Sequence, residues 1–219
     1  NPESFASESY RAYFTDKQRG TVMRLSQDGL TPISNHGMKD WFRDELKINN
    51  QLIGSYDEKK DEYNIALKTA SYQNIASNWV VSFREDVKGW VSFKSFIEME
   101  SGVSMAGNYY TFSAGEIYQH HSEFVTGGDP PFNTFYGNSE MSTVTVLLND
   151  DPSTVKSFKT LAYEGSQAKI TQELTDNEYY NLQNRHGWWL YNINTDMENG
   201  QQLEFIRKEN KWFNYIKGV

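Results

Sequence analysis

Five stretches of the chain repeat one pattern: an apolar run closes on an aromatic residue, a few charged or glycine residues follow, and a second aromatic-rich run begins. They are Phe14–Val22, Tyr56–Tyr63, Phe83–Trp90, Phe112–Tyr118 and Phe205–Trp212. Apolar runs that flank a short polar turn are the signature of a β-hairpin, so the pattern predicts a string of up-and-down strands.

Between these hairpins the same alternation extends the prediction. Ala12–Phe14, Thr21–Leu25 and Leu30–Ser34 read as a meander with turns at Thr15–Gly20 and Asp28–Gly29. In Met38–Lys47 the period changes: Met38, Trp41, Phe42 and Leu46 share one face of a helix and predict core packing for it. Leu52–Tyr56, Tyr63–Leu67, Trp79–Phe83 and Trp90–Phe96 then pair in sequence as an antiparallel sheet. The spacing of Trp90, Phe93 and Phe96 breaks strict alternation and points to a bulge. Strands at Tyr109–Phe112 and Ile117–His121 follow, and Gly127–Pro131 is the strongest loop signal, a candidate domain boundary.

Met141–Leu148 (MSTVTVLL) is rich in β-branched residues and reads as a buried strand. Ser153–Tyr163 suits either helix or strand, with a helix over Ser153–Ala162 the favoured reading. Lys169–Leu174, Gly187–Ile193, Leu203–Ile206 and Lys211–Ile216 complete a β-rich last third, with a turn at Glu198–Gly200. The fold class is therefore all-β, with antiparallel hairpins in a meander or propeller-like arrangement and one or two short helices. Residues 1–126 form a hairpin-rich domain and residues 127–219 a second β-rich region. Hairpins recur at about 27 to 42 residues, near a propeller blade period but uneven. The Phe14, Tyr56, Phe83, Trp90, Phe112 and Trp212 rings are the expected core.

Composition narrows the function classes. A chain of 219 residues with 15% aromatics and 14 tyrosines is globular, and a mean hydropathy of −0.73 implies a polar exterior. The formal charge of −8 with no cluster of Lys and Arg argues against a nucleic-acid partner. Without cysteine there are no disulfides, thiolate chemistry or cysteine-ligated zinc. No run of about 18 apolar residues exists to span a bilayer, so no membrane partner is expected. The start at Asn1-Pro2-Glu3, without an initiator Met, suggests a segment of a longer polypeptide.

Candidate chemistry is sparse. Gly102-Val103-Ser104-Met105-Ala106 departs from the G-x-S-x-G nucleophile elbow at its last position and reads as a polar loop. His120 and His121, adjacent in a strand, would point to opposite faces and make a poor metal site. The acids of Asp57-Glu58, Asp61-Glu62 and Asn149-Asp150-Asp151 lack the spacing of an EF-hand loop and read as solvated turns. Trp188-Trp189 and Tyr179-Tyr180 offer rings for sugar stacking, which keeps a glycan receptor open as a partner. A carboxylate pair for glycoside hydrolysis cannot be picked from 29 acids, and no phosphate-binding glycine loop occurs. The reading is thus no catalytic residues, no cofactor and no metal site.

The runs Arg11–Ser26, Gly29-Leu30, Gly37-Met38, Ser55–Tyr63, Val81–Phe93, Tyr109–Phe112 and Gly115–His121 resemble segments of large virion structural proteins of tailed bacteriophages. The resemblance spans roughly Arg11 to Gly137 and, more loosely, Asp151–Lys159. The chain departs from the pattern at Phe96–Ser101, where a proline is expected near the end of the Gly-Trp-x-Ser-Phe strand. The resemblance implies a propeller-like or stacked-hairpin part of the phage tail, located in the virion, without catalytic residues. It also implies partners among other virion proteins and copies of the same chain. The alternative is a carbohydrate- or receptor-binding β domain of a phage tail.

Overall fold

Two turn geometries close seven of the hairpins among the described residues. The computed structural model describes residues 1–69, 78–123, 132–164, 190–200 and 205–218. Two compact units are present, Asn1–Val144 and Thr145–Val219.

In the first unit, β1 (Ala6–Ser7), β2 (Ala12–Asp16), β3 (Thr21–Ser26) and β4 (Gly29–Pro32) make one four-stranded antiparallel meander. Helix α1 (Lys39–Ile48) follows, one residue from its predicted bounds, with Phe42 and Leu46 buried and Met38 and Trp41 packed beside them. A second meander consists of β5 (Gln51–Asp57), β6 (Glu62–Lys68), β7 (Trp79–Arg84) and β8 (Gly89–Lys94). A three-stranded sheet in the order β11 (Glu116–Gln119), β10 (Asn108–Ser113), β9 (Ser101–Met105) and the small hairpin β12 (Thr134–Phe135) to β13 (Asn138–Ser139) complete the unit. The fold is all-β with a single α-helix among the described residues, and no closed ring of blades is formed among them.

The turns follow from local chemistry. The loops after β2, β5 and β7 each hold four residues between the paired ends Asp16 and Thr21, Asp57 and Glu62, Arg84 and Gly89. Each closes on a left-handed residue: Gly20, Asp61 or Lys88. Two-residue loops with both residues left-handed, Ala106-Gly107, Ala114-Gly115, Tyr136-Gly137 and Glu209-Asn210, match the strand twist and close the tighter hairpins. Between β7 and β8 the register jumps from Ser82 opposite Ser92 to Phe83 opposite Trp90, which leaves Val91 as the expected bulge.

Strand β6 lies at the centre and is buried on both faces. Tyr63, Ile65 and Leu67 join Leu52, Val81, Phe83, Tyr13, Val22, Ile33, Phe42 and Leu46 in the larger core, between the two meanders and α1. Tyr13 stacks on Tyr63 at 4.8 Å and on Tyr56 at 5.9 Å, and Phe42 meets Trp90 at 4.4 Å. Tyr13 donates to Glu85 at 3.0 Å, and Arg24 pairs with the other Glu85 oxygen at 2.7 Å. Burial and the Glu85 carboxylate hold the Tyr13 phenol protonated well above its ordinary range. The opposite face carries Ile53, Ala66, Val80, Phe96, Met99 and Tyr109.

The second unit holds the sheet β14 (Phe158–Tyr163), β18 (Lys211–Gly218), β17 (Ile206–Lys208) and the hairpin β15 (Ile193–Asn194) to β16 (Asn199–Gly200). Buried Phe205 and Trp212 form its core with Leu161, Tyr163, Leu190 and Ile193. The hairpin turn is built on Thr195, whose hydroxyl accepts from the amides of Met197 and Glu198.

Four expectations are corrected here. Phe14 and Phe112 stand outside the buried cores, because alternation turns Tyr13 and Thr15, and Thr111 and Ser113, inward instead. Phe158–Tyr163 is a strand and not the end of a helix, since it pairs with β18. Met141–Leu148 is an exposed segment outside every ladder among the described residues and not a buried strand. Asn199–Gly200 pairs with β15, and the turn precedes it. Gly127–Pro131, Lys169–Leu174, Tyr179-Tyr180 and Trp188-Trp189 lie outside the described residues.

Candidate functional site

A cluster of buried polar side chains in the first unit lies on one surface, the face of β5–β8 opposite the larger core. Alternation places Ser55 and Asp57 of β5, Glu62 and Asn64 of β6 and Ser82 of β7 there, all buried. From the facing sheet come Tyr109 and Thr111, with His120 and His121 just beyond β11. Strand β9 approaches closely: a Cβ at Gly102 would sit 2.9 Å from Ser55 Cβ and 2.7 Å from the Tyr109 hydroxyl.

Burying so many polar groups costs stability unless each finds a partner. Asp57, 1% exposed, accepts from the amides of Lys59 at 3.0 Å and Lys60 at 3.2 Å, and His121 Nε2 lies 2.7 Å from its second oxygen. Lys59 Nζ donates to the His121 carbonyl at 2.7 Å, so both ends of that residue are held by the β5–β6 loop. His120 Nε2 lies 2.6 Å from Thr111 Oγ1, which also meets the Tyr136 hydroxyl at 2.8 Å. Ser55 Oγ and the Tyr109 hydroxyl are 2.7 Å apart, and Ser82 donates to Asn64 Oδ1 at 2.5 Å. Glu62 pairs with Lys94 at 2.8 Å.

The electrostatics follow from burial. Desolvation pulls the His120 ring down to about 4, helped by its neighbour His121, so it is neutral at neutral pH. Burial pushes the Tyr136 phenol up to about 12 and raises Tyr109 further.

Several sequence-level readings change at this point. Ser104 stands in strand β9 and not in a loop, and its hydroxyl is committed: it donates to the Tyr56 carbonyl and accepts from the Glu58 amide, both at 2.9 Å. His120 and His121 were expected on opposite faces, yet their rings lie 6.1 Å apart and both contact the Tyr109 ring. The strand ends at Gln119 and His121 is left-handed, with φ of 56°, which cancels the alternation. Asp57 and Glu62, expected in solvated turns, are buried under the β9–β11 sheet, a non-local effect that local pattern does not carry. Asp151 does cap an exposed turn, accepting from Ser153 at 3.0 Å and from Thr154. Among the described residues no group of three or more His, Asp or Glu side chains is placed to hold a metal ion. No helix there is long and apolar enough to cross a membrane.

What this layer can do is fix one sheet on another: the Ser55–Tyr109 and Asp57–His121 pairs set a register that an apolar interface would leave free. The outer surface differs in character, with exposed Val91 and Phe93 on β8, Ile117 on β11 and an apolar stretch at Met141–Leu148.

Residues 130–218 match the family model of the Crassvirus muzzle protein C-terminal domain. The match supports a phage virion structural protein. It covers less than half of the chain, and it falls where the expected phage resemblance was loosest, meeting the span Arg11–Gly137 only at its end. No curated protein matches the chain.

Proposed function

We propose that this chain is a structural part of a phage tail, built as stacked hairpins, that works by assembling with other virion proteins and with copies of itself and carries out no catalysis. The observation that carries the reading is the match of residues 130–218 to a domain of a Crassvirus muzzle protein. The first unit supports it. The groups that chemistry would use, Ser104, His120, His121 and Asp57, are spent on tying strands together. Apolar side chains meanwhile remain at open sheet edges, where neighbouring proteins can add contacts.

Gold-labelled antibodies against the chain, applied to intact purified particles, test the placement. Label at the tail is the expected result. Label confined to the head, or none on particles that contain the chain by mass spectrometry after gentle opening, overturns the tail assignment.

A further inference from the structure

Met141–Leu148 has the composition of a strand and the surroundings of none. It holds no charge and no proline, and Thr143, Val144, Thr145 and Val146 are β-branched. It lies outside every ladder among the described residues, with Met141 55%, Val144 72%, Val146 66%, Leu147 90% and Leu148 65% exposed. Its beginning is positioned: Glu140 donates its amide to the Asn133 carbonyl at 2.6 Å, and Ser142 donates to Asn133 Oδ1 at 2.9 Å. In extended form Val144, Val146 and Leu148 fall on one side and Thr143, Thr145 and Leu147 on the other. An uncharged, proline-free segment of high β propensity left in water is an aggregation hazard, so a cover is required.

We propose that Met141–Leu148 is a donor strand that adds to the open edge of β8 in a second copy of this chain. The inference rests on the assembly reading above and names its partner. The other edges among the described residues are poor acceptors. Strands β1, β12, β13, β15 and β16 have two residues each, β4 ends on Pro32, β5 has its Tyr56 carbonyl taken by Ser104, β11 begins with Glu116, and β17 carries Arg207 and Lys208. The exposed side chains of β14 are Lys159, Thr160 and Ala162, and β9 is already held to β5 through Ser104. Strand β8 has six residues and no proline. Its one charge, Lys94, is paired with Glu62, and Val91 and Phe93 are 38% and 52% exposed.

Charge favours the same contact. Two copies, each with a formal charge of −8, repel over most of their surface. Gly89–Phe93 and Met141–Asn149 are uncharged, so the copies can meet there without adding like charges. Donor and acceptor are different surfaces, so the contact runs head to tail and builds a ring or an open row.

Sedimentation velocity of the purified chain from roughly 1 to 200 µM, the range of weak strand exchange, tests this. Wild type is expected to form oligomers that grow with concentration. The donor variant Val144→Lys/Val146→Lys and the acceptor variant Val91→Lys are each expected to stay monomeric with unchanged circular dichroism. All three positions are exposed, so the substitutions leave folding intact. Mixed, the two variants should give a dimer and nothing larger, since one retains only the acceptor and the other only the donor. A wild type that stays monomeric, or oligomers indifferent to the donor variant, overturns the proposal. Oligomers lost in the donor variant but kept in Val91→Lys overturn β8 as the acceptor. Any of these results leaves the tail assignment to be judged by particle labelling, so the two failures are separable.

Discussion

Gly54 gives the sharpest quantitative test of how the first unit is packed. It lies inside β5, where glycine ordinarily costs ~0.5–1 kcal/mol relative to alanine, so propensity alone predicts that Gly54→Ala stabilises. The structure predicts the opposite. A Cβ there would lie 2.0 Å from the Ser4 carbonyl oxygen and 2.5 Å from its carbon, and ordinary contact begins at 3.4 Å, so Ser4 would have to retreat by about 1.4 Å. Ser4 is not free to move. Its carbonyl accepts from the Tyr63 hydroxyl at 2.8 Å, and its own hydroxyl donates to the Asn1 carbonyl at 2.6 Å and meets Thr15 Oγ1 at 2.8 Å and the Thr15 amide at 2.9 Å. Overpacking costs ~1–3 kcal/mol and leaving the fully buried Tyr63 phenol without a partner a further ~1–3 kcal/mol, about 2–6 kcal/mol together. Urea unfolding followed by the fluorescence of Trp41, Trp79 and Trp90 measures it. A Gly54→Ala variant within ~1 kcal/mol of wild type would refute the packing of Ser4 on β5. Tyr63→Phe supplies a control: its cost of ~1–2 kcal/mol should largely vanish in the Gly54→Ala background, where the hydrogen bond is already lost.

Three further outcomes follow from the cores. Asp57→Ala orphans two backbone amides and His121, so it should destabilise the first unit by ~2–4 kcal/mol in the same denaturation assay, whereas an effect under ~0.5 kcal/mol would contradict its burial. His120 titrates at about 4 when folded against 6.5 when unfolded, so the unfolded state takes up the proton first as pH falls. Stability should drop from pH 6.5 to about 4 by ~2–3 kcal/mol more in wild type than in His120→Gln, and a ring resonance titrating near 6.5 in the folded protein would contradict this. Trp212→Ala removes half of the buried pair at the centre of the second unit and should cost that unit ~3–5 kcal/mol, read by hydrogen exchange at the β14 and β18 amides.

The parts of the fold legible in the sequence are those whose cause is local. All five hairpins appear where charged or glycine turns separate aromatic runs, and the amphipathic stripe of α1 was visible because its period differs from that of its neighbours. The turns at Ala106-Gly107 and Tyr136-Gly137 were not read, since neither is flanked on both sides by an aromatic-rich run as Ala114-Gly115 is. Met141–Leu148 misled because β-branched composition reports suitability for a strand and not the presence of a partner. The polar layer escaped altogether. Asp57 and Glu62 flank a charged turn and look solvated until β9–β11 folds over them, and His121 leaves the alternation through a backbone conformation that its sequence does not signal.

Quantitative mass spectrometry of gradient-purified particles decides whether the chain is a building part of a phage particle. Peptides of this chain are expected at a fixed ratio to the major capsid protein, constant across preparations and resistant to high-salt washing. Peptides absent from purified particles, or present at a ratio that falls with each wash, would contradict it.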